Sequence, residues 1–204
     1  MKTFSRILIL LIIPLMLITF VNLEAKAKLK KGEKKMSKTV VLVIASKNFR
    51  DKELFDTKKS LEKGGINTVI ASSSLNKATG VEGNTVQPDI LLKDVNMDKY
   101  DGIAFIGGIG SQEYWDDPTA HAVATKAYAK GKIVAAICMA PVTLAKAGLL
   151  NGKKFNVWES EVETIKKLGG RYYPEPVVTD GNIVTGPNAD AALAFGQKIA
   201  EMLK

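Results

Sequence analysis

Cys138 is the single cysteine of this 204-residue chain, and its surroundings give it a defined local geometry. In Lys132-Ile133-Val134-Ala135-Ala136-Ile137-Cys138-Met139-Ala140-Pro141 an apolar, β-branched run ends on the cysteine, and small or turn-compatible residues follow. That order predicts a buried strand over Ile133–Ile137, a sharp turn, and a helix over Met139–Gly148, the outline of a nucleophile elbow. A thiol at such a turn meets the unpaired N–H groups and the dipole of the following helix, which predicts a lowered thiol pKa and a reactive thiolate near neutral pH. The same residues also suit a small apolar cysteine packed in a core, and this stretch alone leaves both readings open.

A second feature stands beside it. Ile106-Gly107-Gly108-Ile109-Gly110 follows another apolar run, and glycines allow backbone to approach a reacting group closely. If both turns lie on one sheet edge, the N–H groups of Gly108 and Met139 form an oxyanion hole, worth about 3–4 kcal/mol per donor. A phosphate-binding loop or an ordinary turn are the alternatives. A dinucleotide fingerprint is excluded where it would be expected, because Ser46-Lys47-Asn48-Phe49-Arg50-Asp51, after the first strand, holds no glycine. In Phe49-Arg50-Asp51-Lys52-Glu53-Leu54, Glu53 either points into the same crevice or is a first-turn glutamate favoured by the helix dipole.

The elements that must position these residues alternate regularly. Thr39–Ala45 is a continuous β-branched run, as in a strand buried on both faces of a parallel sheet. Lys52–Lys63 reads as a helix closed by Gly64-Gly65, Thr68–Ala71 as a second strand, and Ser72–Pro88 as a turn-rich excursion with a hairpin. Gly102–Ile106 is the next buried strand, and Asp117-Pro118 opens a helix running to about Lys130. Beyond the elbow come a helix near Glu161–Leu168, short strands at Val177-Val178 and Ile183–Thr185, and a final helix Ala189–Leu203 capped by Asn188. The class expected is α/β: a doubly wound, mostly parallel, flavodoxin-like sheet with ligands at the carboxyl ends of its strands.

The formal net charge of +8 invites a nucleic-acid partner, but its distribution argues otherwise. Residues up to Lys38 hold nine Lys or Arg against two Glu, a net +7, so the remaining 166 residues carry only +1. A nearly neutral body offers no broad basic face for phosphates. The N-terminus instead has the parts of an export signal: Lys2 and Arg6, the apolar run Ile7–Val21, and the small-x-small site Ala25-Lys26-Ala27. Cleavage after Ala27 predicts a signal peptide over 1–27, a lysine-rich linker over 28–38, a domain over 39–204, and a periplasmic or secreted location. Membrane contact is then only transient. The alternatives are an uncleaved anchor, disfavoured because about 15 residues fall short of the ~20 a spanning helix needs, and a cytoplasmic protein started at Met36. With one cysteine no intramolecular disulfide is available, so the core alone must stabilise the fold.

Taken together, the motifs resemble the PfpI-like superfamily, which has a class I glutamine amidotransferase-like fold. It includes the parkinsonism-associated deglycase, bacterial glyoxalases and deglycases, and an archaeal intracellular protease. The matching features are Phe-x-Asp-x-Glu-Leu at Phe49–Leu54, the Tyr100-Asp101-Gly102 lead into strand–Gly-Gly-x-Gly, Gly-Lys-x-Val-Ala-Ala-Ile-Cys at Gly131–Cys138, Ala-Gly-Leu-Leu-x-Gly-Lys at Ala147–Lys153, and Val-x-Asp-Gly-Asn-x-x-Thr at Val178–Thr185. The resemblance implies that Cys138 is the nucleophile or redox-sensitive cysteine, that Glu53 bonds its sulfur, and that Gly108 and Met139 are the oxyanion donors. It implies a homodimer or larger assembly, and no metal or organic cofactor. Gly107 is a pocket candidate beside Gly108, and Trp158 and Glu159 either shape and charge the pocket where other members carry a histidine or are plain packing and a solvated acid. Two departures bear on activity. Met139 stands where family proteases carry histidine after the cysteine, and Phe155-Asn156-Val157-Trp158 stands where other members place one. The only histidine, His121, falls on the helix opened by Pro118 and reads as a surface or packing residue. A Cys138–Glu53 pair suits a small-molecule carbonyl substrate, in glyoxalase- or deglycase-like chemistry, better than amide hydrolysis, which needs a proton donor to the leaving amine. A redox-sensing or chaperone-like stress protein is the non-enzymatic alternative.

Overall fold

The computed structural model describes residues Lys38–Lys204. The export signal over 1–27 and the linker up to residue 37 lie outside the described residues. In chain order the elements are β1 (Thr39–Val43), β2 (Lys47–Phe49), α1 (Asp51–Lys63), β3 (Asn67–Ser72), β4 (Ala78–Gly80), β5 (Thr85–Val86), β6 (Ile90–Leu91), β7 (Gly102–Phe105) and α2 (Pro118–Ala129). They continue with β8 (Ile133–Ile137), α3 (Pro141–Lys146), β9 (Lys154–Phe155), α4 (Val162–Lys167), β10 (Arg171–Tyr172), β11 (Val178–Asp180), β12 (Ile183–Gly186) and α5 (Ala192–Met202).

Seven strands form one sheet in the order β11-β12-β8-β7-β1-β3-β6. Every pairing in it is parallel except β11 with β12. The alternation of strands and helices therefore produces the doubly wound α/β architecture of flavodoxin-like, class I glutamine amidotransferase-like proteins. Both faces are covered, which is why β1 and β8 are apolar without a break. Val41 and Val43 face a core filled by Val123 and Ala127 of α2, Leu144 of α3 and Ile165 of α4. Val40 and Leu42 face the opposite core, filled by Leu54 and Leu61 of α1 and Phe195 and Ile199 of α5.

Three local differences from the sequence expectation have physical causes. Lys47–Phe49 is a strand rather than part of a loop, because β2 finds a partner in β4 of the excursion, whose β4–β5 hairpin completes a small three-stranded sheet. The helix after Cys138 begins only at Pro141 and lasts six residues, since proline lacks the N–H that a residue further inside a helix would donate and belongs in the first turn. The last helix starts as a 3-10 turn, Ala189–Ala191, whose N–H groups from Asp190 and Ala191 are capped by Asn188 Oδ1.

Candidate active site

Parallel strands place their carboxyl ends on one edge, so the turns after β1, β7 and β8 are neighbours. Cys138 follows β8 directly and adopts φ +61°, a left-handed conformation that non-glycine residues rarely take. The turn is held from both sides: the Cys138 N–H donates to Gly186 O at 2.9 Å, and its carbonyl accepts from Trp158 N–H at 2.8 Å. Such strain persists only where the surroundings over-determine it, and it clusters at functional sites.

The glycine turn after β7 explains itself by contact. A Cβ on Gly107 would stand 2.5 Å from Cys138 Cβ and 2.6 Å from Glu53 Oε2, so only glycine admits the thiol and the carboxyl together. Gly108 has φ +92°, and a Cβ there would lie 2.5 Å from Arg50 N. The Gly107 carbonyl in turn accepts from Arg50 N–H at 2.9 Å, which ties the turn to the start of α1.

That start presents two buried acids, Asp51 and Glu53. Glu53 Oε2 accepts one hydrogen bond, 3.0 Å long, from Gly107 N–H. Its Oε1 is buried with no partner of good hydrogen-bond geometry, and the side chain coupled to the carboxyl is the Cys138 thiol. Burial pushes Glu53 up to about 7, and the thiol, the Gly107 amide and the Arg50 charge offset that only in part. Cys138 moves the same way. Burial first, and then the negative charge of Glu53, push the thiol up to about 12, while the N–H groups of Gly108 and Met139 hydrogen-bond the sulfur and pull it down.

The expected low-pKa thiolate is therefore corrected. The helix that was to stabilise it is three residues away and a turn and a half long, and two backbone amides do not outweigh desolvation beside a carboxylate. Burial and the neighbouring acid therefore favour the protonated form of both groups, and the thiol keeps its proton at neutral pH.

Around the pair lies a cavity of about 610 Å³ whose lining includes Glu53, Gly108, Cys138, Met139 and Trp158. The structure thus brings six of the residues singled out in the sequence together: Gly107 is wedged between thiol and carboxyl, and Glu53, Gly108, Cys138, Met139 and Trp158 line the cavity. It leaves others out. Glu159 is exposed and opens a 3-10 turn. Asn156, the polar residue within the stretch Phe155–Trp158, is buried and engages backbone, donating from Nδ2 to Glu175 O at 2.6 Å and accepting from Val157 N–H at 2.8 Å. His121 meets the Trp115 carbonyl with Nε2 at 2.9 Å, and the Trp115 indole donates to Met139 O at 3.2 Å, so histidine touches the elbow only through an intervening tryptophan.

Sequence reasoning gave no role to Asp51, Val81 or Ile109. Asp51 was inside the Phe-x-Asp-x-Glu-Leu motif, but its partners are the N–H groups of Glu82 at 2.8 Å and Asn84 at 3.1 Å, more than thirty positions on. Val81 and Ile109 had no signal beyond being apolar in turns.

A chain from Methanocaldococcus jannaschii is 37% identical over 177 residues, covering 85% of this chain and 86% of that one. The protein named deglycase PfpI of Pyrococcus furiosus is 29% identical over 164 residues, 80% of this chain and 99% of its own. Among solved structures, a ThiJ/PfpI domain protein from Brachyspira murdochii superposes with a TM-score of 0.80 at 28% identity, covering 82% of this chain and 96% of its own. The family model described as DJ-1/PfpI matches residues 38–202, and with that span the whole described domain, elbow and glycine turn included, belongs to the DJ-1/PfpI family.

Proposed function

We propose that the protein processes α-oxoaldehydes or the adducts they form, as a glyoxalase- or deglycase-like enzyme that uses Cys138 as nucleophile and Glu53 as proton carrier. One observation carries this reading: a thiol on a left-handed turn and a buried carboxyl, both packed against Gly107 and lining one cavity, with burial raising the carboxyl towards neutral pH. A general base works best with its pKa near the operating pH. The carboxylate form of Glu53 takes the Sγ proton as sulfur adds to the aldehyde carbon, and the carbonyl electron pair moves onto oxygen, which faces the Gly108 and Met139 N–H groups. That oxygen then takes the proton back, giving a hemithioacetal. Glu53 next removes the hydrogen of the former aldehyde carbon as a proton and returns it to the adjacent carbon through an enediol, while the hemithioacetal hydroxyl proton passes to the oxygen on that adjacent carbon. The product is a 2-hydroxyacyl thioester, which water cleaves to a 2-hydroxy acid and the free thiol. The electron pair lost by one carbon is gained by its neighbour, and one water is consumed.

Relatives named deglycases support a reaction at carbonyl-derived groups. The raised thiol weighs against peroxide sensing, because the thiolate is what peroxide attacks. Amide hydrolysis is disfavoured because His121 is held by Trp115 rather than by the elbow. Methylglyoxal consumption by wild type and Cys138→Ala tests the proposal: wild type consumes it and the variant does not. No consumption by wild type, or equal consumption by both, overturns it.

A further inference from the structure

Large apolar side chains usually leave solvent, yet three of them stand exposed around the mouth of the Cys138 cavity. Val81 is 40% exposed, Ile109 52% and Trp158 43%, and all three line that one cavity. They come from separate parts of the chain, and each is fixed to a segment of the site. Val81 N–H donates to Phe49 O at 2.9 Å, and the hairpin turn that carries it is clamped by the buried Asp51 through the Glu82 and Asn84 amides. Ile109 follows Gly108 directly, with Ser111 Oγ donating to Gly108 O at 2.8 Å. Trp158 donates its N–H to Cys138 O at 2.8 Å. Hydrophobic surface gathered at the rim of a reactive cavity is what a ligand with an apolar portion covers. The volume agrees: about 610 Å³ is ample for a drug-sized molecule and far exceeds a three-carbon aldehyde.

We infer that Val81, Ile109 and Trp158 select carbonyl compounds with an apolar tail of aromatic size, whose aldehyde reaches Cys138 while the tail lies against the three side chains. This rests on the proposed carbonyl chemistry, and the test separates the two. In wild type, kcat/KM for phenylglyoxal exceeds that for methylglyoxal by about tenfold or more, the discrimination a hydrophobic wall gives. Trp158→Ala and, as a milder surface change, Val81→Thr each lower that ratio at least threefold. A ratio near one, or a ratio unchanged in both variants, overturns the inference while leaving the proposed function standing. If neither aldehyde is consumed the proposed function fails, and alkylation still decides the inference. The folded protein then labels Cys138 faster with iodoacetanilide than with iodoacetamide, by a ratio about tenfold above that of the unfolded chain, and Trp158→Ala removes the difference. Equal ratios in folded and unfolded protein overturn it.

Discussion

Asp51 and Glu53 share the first turn of α1, the same helix dipole and nearly complete burial, at 1% and 0% exposure. Their carboxyl groups nevertheless diverge. For Asp51, burial pushes the pKa up, but the N–H groups of Glu82 and Asn84 outweigh it and leave the group below its ordinary value. For Glu53, burial also comes first, and its single backbone amide and the thiol do not outweigh it. Two things separate them: Asp51 receives two hairpin amides, and Glu53, which lies deeper in the protein, receives one backbone amide and the thiol against a larger loss of solvation. Asp51 is satisfied and anchors the β4–β5 hairpin, whereas Glu53 is left short of donors and keeps its proton within reach of a thiol.

Removing each carboxyl breaks the comparison from a different side. Glu53→Gln keeps the shape and the acceptor for Gly107 N–H but cannot carry a proton, so it lowers kcat for α-oxoaldehyde consumption by ~10²–10⁴-fold. The same change removes the charge that raises the thiol, so Cys138 alkylates at lower pH even as turnover falls. A variant with near wild-type kcat would show Glu53 to be a packing residue.

Asp51→Ala acts on stability instead. It leaves two backbone amides of the hairpin without their acceptor and costs about 2 kcal/mol in urea unfolding. A loss below about 0.5 kcal/mol would mean the hairpin stands without the clamp.

How much of this was legible differs between the two acids. The sheet, the elbow and the glycine turn were readable because unbroken β-branched runs and Gly-Gly-x-Gly are local signals. Glu53 was readable by its motif, but the sign of the Cys138 shift was not, since it depends on a helix that starts late at Pro141 and on a carboxyl 85 positions earlier in the chain. Asp51 was opaque for the same reason: its partners belong to a hairpin whose three-residue strand β4 is paired with β2 on one side and β5 on the other.

The dependence of stability on pH sharpens the contrast. Glu53, raised from 4.5 to about 7, binds a proton more tightly in the native than in the unfolded state. Native stability therefore falls as pH rises from 4.5 to about 7, by on the order of 3 kcal/mol. Asp51 contributes the opposite trend, with stability lost only as pH falls below 3.8. Urea midpoints measured between pH 4.5 and 7.5 decline more steeply in wild type than in Glu53→Gln; parallel curves would remove the raised carboxyl. Least affected is His121→Ala, which gives up one hydrogen bond to Trp115 O at a cost of about 1 kcal/mol and leaves Cys138-dependent turnover within a few-fold of wild type. A hundredfold loss in a folded variant would restore histidine to the mechanism.

The divergence of the two acids can be seen without any substrate. Carboxyl ¹³C chemical shifts of labelled Asp and Glu, followed by NMR from pH 3 to pH 9, report each group separately. The Glu53 signal is expected to titrate with a midpoint close to 7 while Asp51 stays ionised down to below 3.8. A Glu53 midpoint near 4.5, with the carboxyl ionised throughout the neutral range, would contradict the account.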